Sequence, residues 1–312
     1  MKIFCLICRS QNIEKYQAKI HPFICERIKK GDAEIALIKC NKCDFVFFDY
    51  RLSSEEVNDL YYNYRDKKYQ ECRQKYDKFY SFEINKFIGK DSNEIAVKKQ
   101  NILTAIERSK IDLNKVESVL DFGGDSGQNI DLDIFNLKNK YLFDVSDVKP
   151  VVGVKKLQSI SPNESFDFVV SQHVLEHVSD PLEMLKTNIN LLRKGGFFYF
   201  ELPMDSPFLK RDWKLIIKRI MWVLSFVLDF KKRDYDVGFG KIILRKIHWL
   251  FLIVSDLINR EKRDVFLMHE HINFFNKRSV EKMLEISGLK LLYLDSGYSD
   301  YSKLIYGIAQ KI

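Results

Sequence analysis

The sequence predicts an α/β fold on a mostly parallel sheet, preceded by a small metal-binding module. Three observations carry this. Residues 118–127, Ser-Val-Leu-Asp-Phe-Gly-Gly-Asp-Ser-Gly, end an apolar run in an acid, Asp121, and follow it at once with Gly123, Gly124 and Gly127. That is how a buried parallel strand enters a tight turn that lets backbone approach a ligand closely. Two further apolar runs, Phe166–Val170 and Phe197–Leu202, flank a helical pattern, the strand–helix–strand alternation of a parallel sheet. Near the amino terminus, Cys5-Leu-Ile-Cys8 and Cys40-Asn-Lys-Cys43 form two C-x-x-C knuckles.

The totals agree. A chain of 312 residues with 46% hydrophobic and 30% charged residues can bury a full core. Six prolines and thirteen glycines leave no room for a long flexible linker. The net charge of +8 suits anionic partners, such as nucleic acid, nucleotide-linked substrates or acidic lipid, or serves solubility alone. The first ten residues lack a long apolar run or a cleavage-type site, so a cytoplasmic location is expected. There thiols stay reduced, and paired cysteines point to a metal rather than a disulfide.

Two thiolates three positions apart grip one ion from a tight turn, and two such turns complete a tetrahedral site. Cys5, Cys8, Cys40 and Cys43 are therefore expected to hold a structural zinc ion, a zinc-ribbon module over residues 1–50. Cys25 could replace one ligand or be a small buried hydrophobe, and Cys72 reads as structural.

Phe45–Phe48 reads as a strand, and Ser53 with Glu56 is a capping box that starts a helix. Residues 51–110 form a helical connector in which Tyr61, Tyr62 and Tyr64 either pack or line the mouth of a substrate pocket. The core spans 111–204, with its first strand at Val119–Phe122 and a helix opening near Ser126-Gly127. Tyr141-Leu-Phe-Asp144 is an apolar strand ending in an acid, the place where α/β folds hold ribose hydroxyls; Asp144 is the ribose ligand and Asp147 the fallback. Val151–Val154 reads as a third strand with little or no helix before it. Phe166–Val170 leads into Ser171-Gln-His-Val-Leu-Glu-His177. Pro181 opens the next helix, Gly195-Gly196 ends it, and Phe197–Leu202 follows as a strand.

The glycine turn, the Phe166–Pro181 block and the Leu191–Pro203 block, in this order and spacing, resemble the class I S-adenosylmethionine-dependent methyltransferases. The resemblance implies a Rossmann-like methyltransferase sheet with S-adenosylmethionine as cofactor. It places Asp121, Gly123, Gly124, Gly127, Asp144, Ser171 and Gln172 around that cofactor. Asp125 stands where family members often carry a glycine or a small residue. It argues against a pyrophosphate and could meet the ammonium of methionine. His173, Glu176 and His177 border the cofactor in such a family; the pair Glu176-His177 supports the loop, and His173 and His177 are both candidates for proton transfer.

Further on, Met268-His-Glu-His-Ile-Asn-Phe-Phe275 resembles the Glu-His-x-x-Phe-Phe segment of sugar C-methyltransferases that carry a zinc-binding amino-terminal domain. By that resemblance His271 removes a substrate proton and Glu270 orients it. Residues 266–312 complete the methyltransferase domain. Between them, 205–265 form a basic helical insertion with helices at Trp213–Phe230 and Ile242–Ile258. It is either a lid or dimer arm, or a surface that touches the inner face of an acidic membrane. The expected function is methylation of a small-molecule or sugar-linked substrate, namely a sugar or nucleotide-linked sugar, in surface-polysaccharide or related biosynthesis. Two rivals stand beside it. An RNA methyltransferase would fit the charge and the zinc module, but the chain has Ser171-Gln-His-Val in place of the Asn/Asp-Pro-Pro-aromatic block. A non-catalytic scaffold would keep the fold alone.

Overall fold

The computed structural model describes residues 3–62, 64, 66–77, 80, 92–130, 134–146, 148–161, 164–208, 265–298 and 303–312. The helices expected at Trp213–Phe230 and Ile242–Ile258, the lid or membrane role of that insertion, and Asp147 all lie outside the described residues.

Two sheets organise the chain. The first is a five-stranded sheet in the order β10-β3-β2-β1-β9. Strands β1 (Ile13–Ile20), β2 (Glu34–Cys40) and β3 (Val46–Phe48) are antiparallel neighbours. The carboxyl-terminal segment completes both edges: β9 (Phe266–Met268) runs parallel to β1, and β10 (Asn273–Phe274) pairs antiparallel with β3. The segment around His271 is therefore suspended between two strands of the amino-terminal sheet. On one side of this sheet, helices α1 (Pro22–Arg27), α2 (Ser54–Tyr61) and α3 (Lys67–Tyr76) contribute Phe23, Leu60 and Tyr69 to a shared apolar cluster. The capping box of α2 forms as its sequence predicts, with Ser53 and Glu56 each satisfying the other's main-chain amide.

The second sheet has seven strands in the order β11-β12-β8-β7-β4-β5-β6. Strands β4 (Ser118–Phe122), β5 (Asn139–Phe143), β6 (Lys155–Lys156), β7 (Phe166–Gln172) and β8 (Leu192–Pro203) are parallel. The hairpin β11 (Leu289–Tyr298) and β12 (Lys303–Lys311) closes the far side antiparallel. All five residues of β4 are buried, which is why it reads as a continuous apolar run. Helices α4 (Ser92–Arg108), α5 (Pro181–Asn190) and α6 (Lys277–Ile286) pack on this sheet. The strand order reverses between β4 and β7, and the crevice outside the carboxyl ends of such strands is where open α/β sheets bind ligands.

Three local expectations change. Val151–Val154 is a turn, with Gly153 at φ 84°, and the short β6 follows it. The expected helix at Ser126-Gly127 is instead a turn and a single 3₁₀ turn at Gln128–Ile130. Gly195 and Gly196 do not end the helix, because α5 stops at Asn190 and β8 starts at Leu192. They sit instead at a register shift between β7 and β8, with Gly195 at φ 79°; a bulge takes glycine there for the same reason a helix cap would.

Candidate functional site

The glycine turn is built around Asp121. A Cβ on Gly124 would lie 2.0 Å from the Asp121 carboxyl carbon, so only glycine lets the chain fold back over that acid. Gly123 and Gly127 take φ of +74° and +78°, conformations that side chains resist. A Cβ on Gly123 would meet the Val174 methyl at 2.6 Å, so the turn rests directly on the loop after β7. Asp121 is fully buried. Burial, and then the charge of Asp144, push its carboxyl up to about 7 against the pull of Lys98.

Asp144 follows the end of β5, beside the turn. One of its oxygens accepts the Asp125 main-chain N–H at 2.9 Å and the other that of Ser146 at 2.8 Å. Each oxygen keeps a second lone pair, so a held carboxylate can still accept two vicinal hydroxyl protons. On β7, the Ser171 hydroxyl and both amide atoms of Gln172 are buried and, like both oxygens of Asp121, have no partner of full hydrogen-bond geometry among the described residues. Orphaned buried polar atoms are rare. Their gathering at the strand ends beside a glycine cradle fits a polar, closely held cofactor. The structure thus brings Asp121, Gly123, Gly124, Gly127, Asp144, Ser171 and Gln172 to one crevice.

The loop after β7 carries a second constellation. His173 bridges two buried carboxylates, Glu176 at 3.2 Å and Glu201 at 3.4 Å. Burial opposes its protonation, but the two acids prevail and raise it to about 9. Burial likewise opposes the charge on Glu176, and the neighbouring imidazoles overcome it, holding the acid down to about 2. His177 turns its Nδ1 to the Glu270 carbonyl at 3.0 Å and to the Tyr61 hydroxyl at 3.2 Å. Tyr61 therefore reaches this site, whereas Tyr62 is exposed.

His271 packs edge-on against His177, ring centroids 4.7 Å apart. The carboxylate on its Nδ1 is Asp205, at 2.5 Å. Burial lowers the His271 imidazole, but Asp205 outweighs it and raises the net value. Glu270 faces elsewhere: it accepts from the Tyr69 hydroxyl at 2.6 Å and from Arg73 at 2.9 Å. Against burial, Arg73 and Tyr69 hold Glu270 down to about 2. Sequence reasoning missed Asp205, Tyr69 and Arg73. No motif surrounds Asp205, whereas the i,i+4 spacing of Tyr69 and Arg73 on α3 marks two side chains on one face. A cleft of about 380 Å³ opens here, lined by Arg73, Asp205, His269, Glu270, His271 and Phe274 among others. Its size and its mix of polar and aromatic walls suit a small molecule.

Far along the amino-terminal sheet, Cys5, Cys8, Cys40 and Cys43 bring their sulfurs within 4.8 Å of one another. The closest pairs are Cys5–Cys43 at 3.6 Å and Cys8–Cys40 at 3.5 Å. Burial pushes the Cys40 thiol up to about 11; the neighbouring Cys5 sulfur, with burial, lifts Cys43 further. Thiols this crowded ionise together only around a cation, and four sulfurs with no open position fit a structural metal. Cys25 stands outside the cluster, buried in the apolar cluster that Phe23, Leu60 and Tyr69 share.

A family model described as a methyltransferase domain matches residues 92–294. No curated protein matches the chain. Among solved structures, an S-adenosylmethionine-dependent methyltransferase of Clostridium acetobutylicum is 15% identical with a TM-score of 0.41, covering 77% of this chain and 98% of its own. The N-methyltransferase NodS of Bradyrhizobium japonicum, in complex with S-adenosyl-L-homocysteine, is 12% identical with a TM-score of 0.40, covering 71% and 89%. A Thermotoga maritima S-adenosylmethionine-dependent methyltransferase, described as a possible histamine N-methyltransferase, is 15% identical with a TM-score of 0.39, covering 73% and 97%.

Proposed function

The chain belongs to the methyltransferase domain family and is an S-adenosylmethionine-dependent methyltransferase, and on that premise we propose that it methylates a sugar or nucleotide-linked sugar destined for a surface glycan. The observation that carries the cofactor assignment is Asp144, oriented by two main-chain amides beside the Gly123–Gly127 cradle. Asp144 accepts the ribose hydroxyls, and the glycine turn over Asp121 receives the amino-acid end. Ser171 and Gln172 form the neighbouring wall on β7. The donor supplies an activated methyl group, so the chain's own task is mainly alignment.

The acceptor lies in the cleft beside His271. Asp205 fixes the ring, and His271 activates the group that loses a proton. Glu270, locked by Tyr69 and Arg73, shapes the pocket wall, and His173 braces the loop between Glu176 and Glu201. The sugar assignment is supported by the resemblance of the Glu270-His271-x-x-Phe274-Phe275 segment and by the polar and aromatic lining of the cleft. The cysteine cluster holds a structural zinc ion that keeps the amino-terminal sheet, and with it the His271 segment, in place.

Calorimetry with S-adenosyl-L-homocysteine tests the cofactor reading, and no heat of binding would reduce the chain to a scaffold. Methyl transfer from labelled S-adenosylmethionine to a panel of nucleotide sugars tests the substrate class. Label appearing instead in bulk RNA, with steeply salt-dependent binding, would replace the sugar by RNA.

A further inference from the structure

We propose that Glu176, His177 and His271 form a divalent-cation site whose open coordination position faces the acceptor cleft. The inference rests on the reading of that cleft as the acceptor site and revises one part of it: with Nε2 on the ion, His271 would be a ligand rather than a base, and the ion would hold and acidify an acceptor hydroxyl, whose proton would pass to water. One ligand atom from each of the three residues lies within 4.8 Å of the others.

The hydrogen bonds around the three decide which atoms are free. His177 Nδ1 meets the Glu270 carbonyl, which can only accept, so the proton of the neutral ring sits on Nδ1. His271 Nδ1 meets the Asp205 carboxylate in the same way. Each neutral ring therefore offers the lone pair of Nε2. His177 Nε2 is 4.0 Å from Glu176 Oε1, and neither oxygen of that fully buried carboxylate has hydrogen-bond geometry to any described partner. Its nearest cation is His173, whose Nδ1 stands 3.2 Å from Oε1. His177 Nε2 and Glu176 Oε1 stand 4.0 Å apart and a ligand atom of His271 lies within 4.8 Å of each, a spacing that one shared cation can bridge while His173 stays beside the carboxylate.

The surroundings are those of a built site. Ligating histidines characteristically donate their second nitrogen to a carboxylate or a main-chain carbonyl, which fixes tautomer and ring orientation. Asp205 does this for His271 and the Glu270 carbonyl for His177. The Glu176 carbonyl accepts the Ile272 and Asn273 amides at 2.9 and 3.0 Å, so the main chain beneath the three ligands is locked as well. The two imidazoles are 27% and 33% exposed, and His271 itself lines the cleft. Three protein ligands with an open position mark a working site rather than a closed structural one. Two imidazoles and one carboxylate favour a first-row divalent ion, and the open position takes an oxygen of the acceptor.

The test counts metals. Zinc-loaded protein, its cysteine site filled, is titrated with Co²⁺ by calorimetry; one further equivalent is expected to bind, and no binding to the unaltered protein overturns the proposal. In fully Co²⁺-loaded protein, two equivalents are expected, one of them marked by thiolate charge-transfer absorption. His177→Gln and His271→Gln should each lose one equivalent and keep the thiolate band; retention of both equivalents in either variant overturns it. Asp205→Asn, which leaves the ligands in place, should weaken the second Co²⁺ about 10- to 100-fold. Calorimetry with S-adenosyl-L-homocysteine on the same samples reports the cofactor reading separately.

Discussion

The guanidinium of Arg51 donates to the side-chain oxygen of Asn273 across 2.7 Å, joining residues 222 positions apart. Arg51 also donates to the carbonyls of Ser179 and Val178, and Asn273 in turn donates to those of Leu175 and Val178. The pair thus ties the end of the amino-terminal module to the loop that carries Glu176 and His177. Burial pulls the Arg51 guanidinium down to about 10, still charged at neutral pH. Its acceptors are the positive charge's replacement for water.

Asn273→Ala should destabilise the protein by roughly 1–3 kcal/mol for each carbonyl left dry. Urea denaturation measures this. An unchanged midpoint would show that the pair is ornamental.

Gly124→Ala should both destabilise the fold and weaken S-adenosyl-L-homocysteine binding at least tenfold. The new methyl group would sit 2.0 Å from the Asp121 carboxyl carbon. Overpacking of this kind costs about 1–3 kcal/mol even after relaxation. Wild-type affinity in this variant would mean that the turn can open without cost.

Asp144→Ala should weaken S-adenosyl-L-homocysteine by tenfold or more, because hydrogen bonds to a charged acceptor contribute roughly 1.5–3 kcal/mol. Calorimetry is the measurement. An unaltered Kd would move the ribose site elsewhere.

Stability should carry the signature of Asp121. Its carboxyl is raised from 3.8 in the ordinary state to about 7 in the fold by burial and by Asp144. A raised acid means that the native state binds the extra proton. Its contribution is therefore complete below about 3.8 and is lost as pH rises through about 7. Asp121→Asn, which mimics the neutral acid, should flatten that decline and be the more stable protein at pH 8. Parallel pH profiles of the two would refute the assignment.

If the cysteine cluster holds the proposed zinc ion, chelation should lower the melting temperature of the whole chain. Cys5, Cys40 and Cys43 share one apolar cluster with Phe200 of β8 and Phe275. Differential scanning calorimetry should show the loss, and Cys43→Ser should reproduce it. Cys25→Ser, outside the cluster, should leave the metal content unchanged.

Much of the candidate site's local geometry was legible because its determinants are local. A buried strand, an acid and closely spaced glycines must lie together in sequence to make a turn, and two C-x-x-C knuckles must each close over a few residues. So Asp121, Gly123, Gly124 and Gly127, the four cysteines and the capping box at Ser53 could be named without coordinates. The glycine pair at Gly195-Gly196 was equally visible but ambiguous, since a positive φ serves a bulge as well as a helix end.

Partnerships between distant segments were not legible. Nothing in the order of residues told that Asp205, rather than Glu270, would face His271, or that Tyr69 and Arg73 would claim Glu270. Nor did it show β9 and β10 closing the amino-terminal sheet around His271. Side-chain chemistry and short-range geometry are written in the chain itself. Which carboxylate meets which imidazole depends on how two sheets, joined by Arg51 and Asn273, settle against each other, and only the folded chain decides that.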